Sequence, residues 1–200
     1  MKHCVLVVDD FYDDPDAVRE EALRLVYLRP EGVNHPGVTA EGPADVSATM
    51  TRFSKLLGGI DLKYQRPQGS FRITTADDMV LRTSMVHVDT PDFSAIVHLS
   101  KAETEGTYFY RHKELGIERV SPEDNIRPEV RRAIETDTLD PRAWEIVYNV
   151  PIKYNRLLIF DGKYFHSGAR RFTGADLADG RMTQNFFFYR AQADNEVQAG

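Results

Sequence analysis

The chain has 200 residues, 42% hydrophobic and 28% charged, with a formal net charge of −6. That balance excludes a disordered chain and supplies enough apolar material for one domain with a sizeable core. The acidic sign argues against nucleic acid or an anionic membrane as the main partner.

The apolar run from Cys4 to Val8 reads as a buried strand. It is too short for a signal h-region, and Asp9-Asp10 ends it. The single cysteine, Cys4, has no partner for an internal disulfide and reads as a buried, inert thiol. No stretch approaches the roughly 20 apolar residues of a membrane helix, so a soluble, reducing, cytoplasmic setting is expected.

Asp14 and Pro15 open a helix, the first as cap and the second at the first helical position. Val18, Ala22, Leu25 and Val26 continue it at helical spacing to about Tyr27, before Pro30. Residues 31–45 read as a loop, and Val46 to Leu57 as a second helix closed by Gly58-Gly59. After Gly69 the period changes. Ser70 to Thr75, Thr83 to Val88, Ser94 to Leu99 and Thr107 to Tyr110 are short, rich in β-branched and aromatic residues, and separated by turn residues. Arg127 to Glu135 reads as a helical insertion. Ala143 to Val150, Arg156 to Phe160 and Met182 to Tyr189 complete the strands. The expected fold is mainly β with flanking α-helices, a double-stranded β-helix or cupin-like jelly roll. Residues 1–69 would form a helical N-terminal support or lid, and residues 70–190 the core of one domain.

Alternation places His87 and Asp89 on one face of a strand end, which Thr90-Pro91 stops. With 6 histidines and 31 acids, about one His-x-acid arises by chance. A second copy, His112-Lys113-Glu114, reads as a solvated turn because charges surround it. His87 and Asp89 instead interleave with Met85, Val86 and Val88. Downstream, the apolar run Leu157 to Phe160 reads as a central strand, and Tyr164-Phe165-His166 returns a histidine beside aromatic residues. Two imidazoles and one carboxylate with open positions opposite suit oxygen-activating ferrous iron. His98, mid-strand, is the main rival ligand and reads as core or pocket lining. Arg181, Thr183 and Asn185 share one strand face, where a guanidinium beside a hydroxyl suits a carboxylate. Arg170 and Arg171 are loop rivals to Arg181.

This ordered set resembles the Fe(II)- and 2-oxoglutarate-dependent dioxygenase superfamily, most closely its prolyl-hydroxylase-like branch. The resemblance covers roughly residues 70–190. It rests on His87-Val88-Asp89, Glu105-Gly106-Thr107-Tyr108-Phe109, Asn155-Arg156-Leu157-Leu158-Ile159-Phe160, His166 and Arg181-Met182-Thr183. It implies that His87, Asp89 and His166 bind Fe(II). Arg181 and Thr183 would hold the distal carboxylate of 2-oxoglutarate, and Tyr108 or Tyr110 would line that pocket. The interval from His166 to Arg181 is longer than is common in the family. Asp89 favours hydroxylation or desaturation over halogenation, because halogenating relatives lack this carboxylate. The implied activity uses O₂ to hydroxylate an unactivated C–H bond of a small molecule, such as an amino acid or natural-product intermediate. The alternatives are a peptide or protein hydroxylase, with Tyr12, Tyr27 and Asn34-His35-Pro36-Gly37 shaping a groove, and a non-redox cupin-like binding protein. A homodimer stays open, and residues 31–69 are the expected lid or substrate loop.

Overall fold

The computed structural model describes residues 5–31, 35–81, 85–101, 105–124, 127–169 and 174–191. Among the described residues ten strands and four α-helices follow in chain order: β1 Val5–Val8, α1 Pro15–Leu23, β2 Val38–Ala40, α2 Ser47–Leu56, β3 Leu62–Lys63, β4 Ser70–Thr74, α3 Ala76–Leu81, β5 Phe93–His98, β6 Thr107–His112, α4 Pro128–Glu135, β7 Trp144–Val150, β8 Arg156–Asp161, β9 His166–Ser167 and β10 Arg181–Arg190. The larger sheet runs β1-β8-β5-β10-β4-β2, with β3 added to β10, and the smaller runs β7-β6-β9. All of these pairings are antiparallel.

Period-two alternation gives the larger sheet two different faces. Phe93, Ala95 and Val97 of β5, Leu157 and Ile159 of β8, and Phe186 and Phe188 of β10 pack with Ala22 of α1 and Met50 and Phe53 of α2 in one core cluster. The alternate residues turn the other way, toward the smaller sheet. There Leu158 and Phe160 meet Phe109 and Val150. Beyond the smaller sheet, Tyr110, Trp144 and Phe165 pack against Val130 of α4. The arrangement is the jelly roll that the strand pattern predicts, with two sheets face to face and helices covering their outer sides.

The local chemistry explains the boundaries. Asp14 accepts the Ala17 N–H at 2.9 Å and Pro15 opens α1. The helix stops at Leu23, short of Tyr27. Leu28 already exchanges backbone hydrogen bonds with Thr39 at 2.9 and 2.8 Å, which draws the chain into extended geometry ahead of Pro30. The stretch expected as a loop holds β2, which pairs with β4, and β3 pairs with β10. Residues of the N-terminal part thus complete the sheet as well as cover it. The strand expected from Thr83 to Val88 does not form a ladder among the described residues: Met85 to Val88 makes one bridge, His87 to His166. Thr83, Ser84, Cys4, Arg170 and Arg171 lie outside the described residues.

His112 is also placed differently from the solvated turn its neighbours suggest. β6 continues through it, so the period carries the imidazole to the Tyr110 side of the strand, under Trp144. It is buried, its Nε2 lies 3.1 Å from Asp137, and Trp144 meets it edge-on at 4.8 Å.

Asn155 and Arg156 tie the N-terminal segment to the sheet. Asn155 adopts φ +61°, a conformation asparagine tolerates. Its side chain accepts the Tyr12 N–H and donates to the Tyr12 carbonyl, both at 2.8 Å. Arg156 forks onto Asp9 at 2.6 and 3.1 Å. The Asn-Arg pair at the head of β8 therefore has an architectural role.

Candidate metal centre

His87 comes from the extended segment before β5, and His166 opens β9. The two residues exchange backbone hydrogen bonds, each N–H donating to the other's carbonyl at 2.9 Å. That pairing puts the two imidazoles on the same side, with ring centroids 4.3 Å apart. Asp89 lies two residues beyond His87. Its backbone N–H donates to Gly162 at 2.7 Å, and Lys163 Nζ donates to its carbonyl at 2.9 Å. Gly162 is required by this approach, since a Cβ there would sit 2.5 Å from the Pro91 carbonyl oxygen.

The donor atoms converge. Asp89 Oδ1 lies 3.6 Å from His87 Nε2, and Oδ2 lies 3.3 Å from His166 Nε2. One ligand atom from each residue falls within 4.8 Å of the others. The Nδ1 of His87 meets the Met85 carbonyl, and that of His166 meets the Tyr164 carbonyl, each at 2.8 Å. A carbonyl can only accept, so Nδ1 carries a proton in both rings, which leaves Nε2 as the nitrogen of each ring that can ligate a metal. This is the outer-shell arrangement that orients metal-binding histidines. Ser94 donates a short hydrogen bond to Asp89 Oδ2.

Electrostatics holds His87 and Asp89 in their ligating states. Burial, and next the charge on His166, push the His87 imidazole down to about 4, so it is neutral near pH 7. Burial opposes ionisation of Asp89, but the His166 and His87 imidazoles and the Ser94 hydroxyl outweigh it and hold the carboxyl well below the usual range. Two imidazoles and one carboxylate, all from one side, fit a divalent metal with open positions opposite.

These groups line a cavity of about 90 Å³ between the sheets. Phe160, Ser94 and Phe187 border its metal end; Thr74, Arg181 and Thr183 border the other. Arg181 faces Thr74, and Arg72 faces Thr183, across the β10–β4 pair. Burial, and next the neighbouring Arg72, push the Arg181 guanidinium down to about 10, still cationic at neutral pH. Asn185 Nδ2 donates to Thr183 Oγ1 at 3.1 Å, which leaves the threonine hydroxyl proton to be donated elsewhere. Arg181 and Thr183 thus present cationic and hydroxyl donors at the wall opposite the three metal-ligating candidates.

Tyr108 and Tyr110 do not line this cavity. Thr107 and Phe109 take the inward positions of β6, so the tyrosines point to the other side and join the Trp144 cluster. The Tyr110 hydroxyl lies 2.9 Å from Ser167 Oγ. His98 is core: it is fully buried on β5 and absent from the cavity wall, and burial, then Arg181 and Arg156, hold its pKa well below the usual range. Arg72, Ser94 and Phe187 are among the inward residues that patterning does not single out. Their only signal was position: Arg72 lies between Ser70 and Thr74 on the polar stripe of β4.

Solved structures with the same architecture give the fold its class. HygX from Streptomyces hygroscopicus, solved with nickel and 2-oxoglutarate, superposes with a TM-score of 0.52 at 14% identity, covering 92% of this chain and 82% of that one. The complex of HygX that also holds hygromycin B gives 0.52 at 16% identity, with coverage of 92% and 82%. An oxidoreductase of the 2OG-Fe(II) oxygenase family from Burkholderia pseudomallei gives 0.51 at 10% identity, covering 94% and 84%. The fold is that of the 2OG-Fe(II) oxygenases; the likeness does not single out the prolyl-hydroxylase-like branch. The chain belongs to a family described as "Family of unknown function (DUF6445)", whose model matches residues 1–188. No curated protein matches the chain. Among the described residues no helix is long and apolar enough to cross a membrane.

Proposed function

We propose that this protein is an Fe(II)- and 2-oxoglutarate-dependent oxygenase that hydroxylates an unactivated C–H bond of a small molecule. The observation that carries the reading is one cavity bounded at one end by His87, Asp89 and His166 and at the other by Arg181 and Thr183. Bound ferrous iron and 2-oxoglutarate would supply oxidative decarboxylation by O₂ coupled to C–H oxidation. The chain's own groups have defined tasks. His87 and His166 offer Nε2, with the proton held on Nδ1 by the backbone carbonyls of Met85 and Tyr164. Asp89 supplies the anionic ligand and is oriented by Ser94. Arg181 offers a cationic fork, and Thr183 a hydroxyl proton, to the distal carboxylate of the co-substrate. Phe160, Ile96 and Phe187 keep the surrounding wall apolar and restrict water.

The whole chain serves as one catalytic unit in this reading. Residues 70–190 carry the machinery, while His35 and Pro36 bring the segment before β2 to the cavity wall and make it the candidate closing element. A reducing, cytoplasmic setting suits ferrous iron. HygX, whose structures hold 2-oxoglutarate and hygromycin B, supports a small-molecule substrate by its likeness.

The test is anaerobic. Fe(II) and then 2-oxoglutarate are added to the purified protein, and the weak visible charge-transfer band of the chelate is sought. The band should appear in the wild type and fade in Arg181→Gln at the same co-substrate concentration. Iron uptake without a band would overturn the oxygenase reading in favour of a metal-binding jelly roll.

A further inference from the structure

The cavity holds a second guanidinium that the co-substrate does not require. Arg72 starts from β4 opposite Thr183, and its guanidinium carbon lies over the Phe187 ring, 5.6 Å from the centroid. Phe187 pairs across the sheet with Ser94, which holds Asp89. The Arg72 head is therefore carried toward the metal end, away from the Thr74 end where Arg181 begins. Its Nε is sealed from solvent with no hydrogen-bond partner among the described residues. Among the described residues Asp89 is the only carboxylate of the cavity wall, and it is already engaged by both imidazoles and by Ser94.

We propose that Arg72 is a substrate-binding residue: its guanidinium receives a carboxylate of the primary substrate beside the metal. The inference rests on the oxygenase reading above. Asp89, already shared with both imidazoles and Ser94, is the counter-charge that acts on Arg72, so the largely enclosed guanidinium is left short of anionic partners and calls for an anionic ligand. Charge balance selects the kind. A divalent metal ion and two guanidinium groups, set against the Asp89 carboxylate and a dianionic co-substrate, leave one positive charge. One carboxylate neutralises it, whereas a phosphate dianion would exceed it. The geometry agrees: a guanidinium lying over an aromatic ring still presents its edge donors in the plane, where a carboxylate accepts two of them. The substrate class is thus a small carboxylic acid, an amino acid included, with the oxidised carbon close to the acid group.

The experiment uses the full chain loaded with Mn(II) and 2-oxoglutarate, and [¹³C]acetate as the probe. Uptake of metal and co-substrate is measured first; failure at that stage overturns the oxygenase reading itself. In the loaded wild type the acetate signal should broaden through proximity to Mn(II), and the effect should saturate. Arg72→Gln should weaken acetate binding about tenfold or more, as loss of a charge-assisted pair implies, while 2-oxoglutarate affinity changes little. Arg72→Lys, which keeps the charge and the bulk, should recover part of the binding. Three results would overturn the proposal: no acetate binding in the loaded wild type, equal binding in Arg72→Gln, or a loss of 2-oxoglutarate affinity in Arg72→Gln as large as that in Arg181→Gln. The last would make Arg72 part of the co-substrate clamp.

Discussion

His87 and His166, distant in sequence, are locked together through their own backbones, each N–H donating to the other's carbonyl at 2.9 Å. The imidazole pair is thus positioned by main-chain pairing and does not depend on a bound ion for its approach. Removing one ring should spare the pairing and remove the ligand. His166→Ala is expected to fold and to lose divalent-metal affinity by more than the 10- to 100-fold typical of outer-shell changes. Mn(II) titration by calorimetry, with far-UV circular dichroism as the control, checks this. Unchanged affinity in a folded variant would remove His166 from the site.

Ser94 tests the outer shell. Its hydroxyl holds one Asp89 oxygen. Ser94→Ala should leave the three ligands in place yet lower metal affinity about 10-fold, because the carboxylate loses its orienting donor. The same titration reads the effect. A result identical to wild type would mean that the imidazoles and the Gly162 contact suffice to fix Asp89.

Arg181→Gln should separate the two ends of the cavity. Metal affinity should hold within a few-fold, while 2-oxoglutarate affinity should fall about 100-fold, as truncating one partner of a buried charge pair commonly costs 2–5 kcal/mol. Competition of 2-oxoglutarate against a metal-chelating dye, with and without the substitution, provides the measurement. A parallel loss of both affinities would indicate that Arg181 supports the fold instead.

The parts of this molecule legible in its sequence are those governed by local period. Strands such as β5, β8 and β10 announce themselves by alternating or continuous apolar residues, and the polar stripe Arg181, Thr183, Asn185 correctly shares a face. What was not legible depended on partners far along the chain. β2 is three residues long and exists because β4 offers an edge. His87 looks like a strand residue but owes its place to one bridge with His166. The resemblance assigns Tyr108 or Tyr110 to the co-substrate pocket, yet β6 alternates the other way, with Thr107 inward. His112 looked solvated because Lys113 and Glu114 follow it, but β6 runs through it and Trp144 covers it. Arg72 was overlooked for the opposite reason: an arginine on the polar stripe of a strand normally faces water, and only the second sheet makes that stripe interior.

Acid should destabilise the metal-free protein in a defined window. The folded-state pKa of His87 is about 4, below the 6.5 of an unexposed-to-structure imidazole, because burial, and then His166, oppose its charge. Between those values the unfolded chain binds more protons than the folded one, so stability rises with pH there and falls as pH drops from 6.5 toward 4. His98 shifts in the same direction through burial and the nearby Arg181 and Arg156, and adds to the effect. The urea midpoint should therefore fall between pH 7 and pH 5. His98→Gln should flatten that dependence without altering metal affinity. An unaltered pH dependence would mean that His98 gains a proton without cost.

Asn155 offers a test of architecture apart from chemistry. It combines a left-handed backbone with two side-chain hydrogen bonds to Tyr12. Asn155→Gly keeps the backbone conformation accessible and removes only the clamp; the loss should be about 1–3 kcal/mol for the unsatisfied buried groups. Asn155→Ala removes the clamp and adds about 1–2 kcal/mol of left-handed strain. Urea unfolding of both variants should place alanine below glycine, with metal affinity in the folded proteins close to wild type. Equal stabilities would show that the turn relaxes out of the left-handed region once the clamp is gone. A specific loss of metal affinity would instead connect the head of β8 to the placement of the Phe160 end of the site, which the same strand carries.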